Sequence, residues 1–142
     1  MASFSPDGKL IVYQSNESGR EEIYIRAFPS ESGQWQVSNL GGTRPQWSND
    51  GKEIYYLGPN AGSMMAAGVR AAGAAIQVDA PRQLFAAPIA PTAFNPYAVT
   101  ADGQRFLAVQ PVSGALRAGP LTVVTNWQAG LAVGGAGAAF EC

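Results

Sequence analysis

The chain has 142 residues, a formal net charge of −1, and 13% charged against 46% hydrophobic residues. Near-neutrality offers no electrostatic case for nucleic acid or an anionic membrane surface as a partner. The absence of histidine and the single cysteine at position 142 exclude Ser-His-Asp and Cys-His catalysis, histidine or cysteine metal sites, and an internal disulfide.

Soluble domains carry about 25% charged residues. The shortage here points to apolar surface covered by another chain, the alternative being a soluble monomer rich in Ala and Gly. No basic-then-apolar leader follows Met1, so no signal peptide is expected. Residues 118–140 are uncharged, but Pro120, Asn126, Gln128 and five glycines argue against a membrane span.

In chain order, the first element is a turn flanked by apolar runs, Phe4-Ser5-Pro6-Asp7-Gly8-Lys9-Leu10-Ile11-Val12-Tyr13. Asp-Gly between apolar runs signals a tight hairpin, because glycine accepts positive φ at no steric cost. Leu10 to Tyr13 is apolar throughout and suits a strand packed on both faces. Glu22 to Phe28 reads as the next strand, and Gln34 to Ser38 alternates as a half-wetted outer strand should.

The turn recurs as Trp47-Ser48-Asn49-Asp50-Gly51-Lys52-Glu53-Ile54-Tyr55-Tyr56 and as Val99-Thr100-Ala101-Asp102-Gly103-Gln104-Arg105-Phe106-Leu107. The aspartates at 7, 50 and 102 are 43 and 52 residues apart, and four-stranded propeller blades repeat at about 40–50 residues. After the second turn, strands are expected at 54–57 and 64–69, with 74–78 and 82–85 as outer strand and exit. Ser63 to Ala75 is the one stretch with helical character, which Gly68 and Gly73 weaken by about 1 kcal/mol each. After the third turn, strands are expected at 97–100, 105–109 and 121–125. The fold class is therefore all-β, with three four-stranded antiparallel blades: 1–44 (its first strand partial), 45–90 and 91–131. Residues 132–142 form a Gly/Ala-rich tail.

On Ser5-Pro6-Asp7-Gly8-Lys9 and Pro45-Gln46-Trp47-Ser48-Asn49-Asp50-Gly51-Lys52 the chain resembles the TolB-like, WD-related propeller repeat. It is similar in particular to the propellers that end bacterial serine/threonine kinase-like membrane proteins, through residues 76–85, 97–107 and 120–127. The resemblance covers residues 3 to 131. It implies a ring of six or more blades in a periplasmic or extracytoplasmic setting, although the compartment of this chain stays open. No kinase motif is present, so no phosphoryl transfer is implied.

Three blades leave two apolar faces bare, each worth on the order of 10 kcal/mol at about 25 cal/mol per Å². A second copy would cover both and give a six-bladed homodimeric ring. The third blade lacks a fourth strand. The partner's Met1 to Ser5 or the chain's own Leu131 to Phe140 could supply it.

The aspartates Asp7, Asp50 and Asp102 read as turn caps rather than as metal ligands or acid–base groups. Trp35, Trp47 and Trp127 read as core before carbohydrate platform. The loops descending toward the channel supply the candidate ligand contacts: Thr43 and Arg44 before Pro45, and Phe94, Asn95 and Tyr97 before Val99. Arg44 is either an anion contact, doubled in a dimer, or an exposed arginine satisfying loop carbonyls. No catalytic residue, metal ligand or cofactor is predicted. The favoured function is a non-catalytic interaction or scaffold module that self-assembles, with a small ligand or peptide in its channel. The alternatives are a weak channel hydrolase, with or without a bound divalent metal, and a remnant without a selected task.

Overall fold

The computed structural model describes residues 1–30, 33–72, 75–86, 88–90, 96–110 and 122–125. Three antiparallel sheets follow one another along the chain. The first has the order β1 (Ala2–Phe4), β2 (Leu10–Ser15), β3 (Glu22–Ala27) and β4 (Gln34–Gln36). The second comprises β5 (Thr43–Trp47), β6 (Glu53–Leu57), β7 (Ser63–Ala72), β8 (Ala75–Val78) and β9 (Arg82–Ala86), with a short 3₁₀ turn at Pro59–Ala61. The third is β10 (Tyr97–Val99), β11 (Arg105–Ala108) and β12 (Thr122–Thr125). No helix among the described residues is long and apolar enough to cross a membrane.

Each sheet opens with the same turn, built by the same hydrogen bonds. The Ser5 hydroxyl donates to Asp7 Oδ1 at 2.6 Å and accepts the Leu10 N–H at 2.9 Å, while the Lys9 N–H donates to Asp7 Oδ1 at 3.2 Å. Ser48 and Asp50 repeat this with the N–H groups of Glu53 and Lys52 at 2.9 and 3.1 Å. Thr100 and Asp102 do so again with Arg105 and Gln104. Gly8, Gly51 and Gly103 sit at φ of 71°, 71° and 69°, the left-handed conformation that only glycine enters freely.

The stretch with helical character is a strand. β7 pairs on one edge with β6 and on the other with β8 and then β9. β8 and β9 thus form one outer strand, interrupted at Asp79-Ala80-Pro81, with Asp79 N–H still donating to Gly68 O at 2.9 Å. A Cβ at Gly68 would lie 2.4 Å from Asp79 Oδ2, so a larger residue there would have to displace that carboxylate. The same carboxylate receives the Arg70 guanidinium on both oxygens at 2.5 and 2.6 Å.

The second sheet is buried on both faces, and the pleat decides which side chain goes where. Ile54 and Tyr56 of β6, with Ala67 and Val69 of β7, pack against Val12, Ile23, Ile25 and Val37 of the first sheet. Their neighbours Tyr55, Leu57, Met64 and Ala66 pack instead against Tyr97, Phe106 and Ala108 of the third. Phe106 is edge-on to both Tyr55 and Phe85, with ring centroids 5.2 and 5.4 Å away.

Two expectations change. Thr43 and Arg44 are not loop residues; they begin β5, because a register shift between Thr43 and Gln46 lets the chain absorb Pro45 within the strand. Met1 to Ser5 is not available to complete a partner's sheet, since Ala2, Ser3 and Phe4 pair with Tyr13, Val12 and Ile11 of β2. The third sheet has three strands among the described residues. The other candidate for its completion, Leu131 to Phe140, and the 132–142 tail lie outside the described residues.

Phe106→Ala removes a ring with no solvent exposure and should cost about 3–5 kcal/mol. Leu40→Ser, at 70% exposure, should stay within about 0.5 kcal/mol. Urea unfolding midpoints of the two variants against the parent chain check both.

Candidate functional site

The three sheets meet around one residue on the inner edge of the second. Arg44 has a φ of 56°, a left-handed conformation costing a non-glycine residue on the order of 1 kcal/mol. Its N–H donates to Gln14 Oε1 of the first sheet at 3.0 Å. Its carbonyl accepts the Tyr97 hydroxyl of the third sheet at 2.6 Å. The guanidinium reaches Met1 Sδ at 3.9 Å, beside strand β1. Backbone strain at Arg44 is thus held by polar ties from both neighbouring sheets.

Tyr97 is the second half of that junction. It is 2% exposed, and burial pushes its phenol well above the ordinary range. Its hydroxyl also reaches Tyr55 O at 3.0 Å, and its carbonyl accepts from Gln46 Nε2 at 3.2 Å. Next to the junction, the innermost strands β1 and β5 lie side by side. They frame an open cleft of about 450 Å³ lined by Met1, Phe4, Pro6, Gln46, Trp47 and Asn49, among others.

Among solved structures the chain is similar to a protein assigned as TolB from Agrobacterium tumefaciens, with a TM-score of 0.51 and 20% identity over 84% of this chain and 42% of that one. It is equally similar to TolB from Acinetobacter baumannii, with a TM-score of 0.52 and 20% identity over 88% of this chain and 32% of that one. The fold is TolB-like, and TolB is a β-propeller family. The chain spans less than half the length of either structure. No family model matches the sequence, and no curated protein matches it.

Within this TolB-like fold the four candidate contacts separate. Arg44 and Tyr97 are brought together, but through Arg44's carbonyl. Tyr97 is buried, and its hydroxyl is directed at two backbone carbonyls rather than at an open channel, so it is a packing and bridging residue. Thr43 is half-buried opposite Leu57. Asn95, like Phe94, lies outside the described residues. Trp35 and Trp47 pack against the core between the first two sheets, as expected of strand aromatics, and Trp127 lies outside the described residues.

Two features escaped the sequence reading. Gln14 holds Arg44, and a signal existed: aligned on the Asp-Gly turns, Gln14 stands where the next repeats have Leu57 and Val109. Glu22 is fully buried, and its carboxylate accepts from Arg20 Nε at 2.5 Å, from the Ser38 hydroxyl, and from Gly41 N–H at 3.1 Å to each oxygen. A buried charge survives only when paired in this way. The network fixes the segment leading from the first sheet to β5, and so where Arg44 stands. No sequence pattern marked it.

Asp7, Asp50 and Asp102 are turn caps in geometry as well. A side-chain hydrogen bond from Ser5, Ser48 or Thr100, and then a backbone N–H, hold each carboxyl below its ordinary value of 3.8. A depressed folded-state value contributes stability that is present above pH about 4 and lost as pH falls through the folded value. Thermal melting between pH 6 and pH 2 should therefore show a drop at the acid end, and a combined Ser5→Ala, Ser48→Ala, Thr100→Ala variant should show a shallower one.

Tyr97→Phe keeps the ring and the Gln46 contact to its carbonyl, and removes both hydroxyl ties to the second sheet. It should cost about 1–3 kcal/mol by leaving buried carbonyls unmatched, measured by urea unfolding; an unchanged midpoint would show that the junction contributes nothing to stability.

Proposed function

We propose that the chain is a non-catalytic protein-interaction module, its three sheets serving as three blades that close into a six-bladed ring with a second copy. The TolB-like fold supports the propeller reading. The observation that carries self-assembly is the state of the two terminal sheets. Phe4 and Phe28 on the first are 54% and 47% exposed, and Leu107 and Val109 on the third are each 42% exposed. Rings of four to eight blades are the usual range, and six lies within it.

In such a ring β1 and β5 line the channel. Each copy then contributes one Arg44, with Thr43 beside it, and the pair forms a contact for an anionic ligand or a peptide carboxylate. Tyr97 serves this site by holding Arg44's backbone. The parent kinship we favour is with the propellers ending bacterial serine/threonine kinase-like membrane proteins, and the sequence stretches at 76–85, 97–107 and 120–127 support it.

Light scattering at micromolar concentration should give twice the chain mass. A monodisperse monomer at that concentration would overturn self-assembly.

A further inference from the structure

We infer that the seam of the ring joins unlike faces: the outer face of the first sheet in one copy packs on the outer face of the third sheet in the other. This rests on the ring reading above and adds which residues meet.

The argument is an alignment of positions. Counting from the Asp-Gly turns, Ile11, Ile54 and Phe106 are equivalent. Ile54 belongs to the core shared with the preceding sheet, and so does Phe106. Phe4, Trp47 and Val99 form a second such set, one strand inward. Trp47 packs on the core between sheets one and two, and Val99 on that between two and three. Register puts Phe4 and Ile11 opposite each other on one face of the first sheet. That face therefore points backward, toward a sheet not found among the described residues.

The forward positions behave in the same way. Val12, Tyr55 and Leu107 are equivalent, as are Gln14, Leu57 and Val109. Val12 faces the second sheet, Tyr55 and Leu57 face the third, and all three are no more than 2% exposed. Leu107 and Val109 occupy those positions in the third sheet and are exposed. Among the described residues a forward-on-backward contact is made twice, and the two faces left open are one forward and one backward. A second copy supplies the missing partner for each, so two-fold pairing closes both seams with the packing already used inside the chain. Joining two backward faces would require a contact found nowhere between these sheets.

The direct contact of Tyr55 with Phe106, at 5.2 Å between centroids, maps onto Leu107 of one copy against Ile11 of the other. The experiment uses Leu107→Glu and Ile11→Lys on the whole chain, followed by sedimentation equilibrium, with circular dichroism to confirm the fold. Each variant alone should raise the dimer dissociation constant at least about tenfold. An equimolar mixture should recover a heterodimer with one native seam and one Glu–Lys seam. Should Ile11→Lys not fold, Phe4→Lys, at a more exposed position on the same face, takes its place.

A dimeric parent chain whose variants both stay dimeric overturns the seam while leaving self-association standing. Loss of the dimer in one variant only, or no recovery on mixing, also overturns it. A monomeric parent chain overturns the ring reading and the seam together.

Discussion

Everything in this fold depends on one sheet being wanted on both sides. Side chains along β6 and β7 alternate between two cores, so Ile54 and Tyr56 serve one neighbour while Tyr55 and Leu57 serve the other. A five-residue strand with four buried apolar residues in a row cannot sit at a wetted surface. It forces a sheet to stand on either flank. The lateral order of the molecule follows from that requirement, and the polar ties at Gln14, Arg44 and Tyr97 then set how closely the three sheets approach at their inner edges.

The same requirement leaves each outer sheet, among the described residues, packed against a neighbouring sheet on one face only. On the outer face of the first sheet Tyr13 and Tyr24 stack at 5.8 Å, and Phe4 meets Phe28 edge-on at 5.1 Å. Aromatic pairing on an open sheet face covers part of its apolar area from within the same sheet. It leaves ring edges in water, and these constitute the surface that a partner would remove.

Most of the architecture was legible because local chemistry and global packing agreed. The Ser/Thr-x-Asp-Gly turns carry their own hydrogen bonds, so they mark strand boundaries without help from the rest of the chain. Legibility failed where the determining contact is distant in sequence. Pro45 suggested a loop before it, but the strand tolerates Pro45 through a register shift, and Arg44 stays in place because Gln14, 30 residues away, receives its N–H. The position of Tyr97 before a strand points to an open channel. Its hydroxyl is instead matched by two carbonyls of another sheet, which no local pattern encodes. Glu22 was invisible because nothing in Glu-Glu-Ile-Tyr-Ile says which glutamate is buried.

These distant contacts also explain why Arg44 is the residue on which structure and proposed function converge. A left-handed arginine is unfavourable taken alone. Here that conformation turns its N–H toward the first sheet and its carbonyl toward the third, so the backbone strain is offset by joining all three sheets. The backbone is then fully engaged in structure, and the long side chain leaves it on the side of Met1 and the inner edge. In the proposed ring such a residue would present charge to the channel from a fixed backbone, because the atoms that fix its position and the atoms that would meet a ligand are separate. Replacing Arg44 with lysine would keep the backbone junction and lose the planar fork of donors, which separates its structural part from its recognition part.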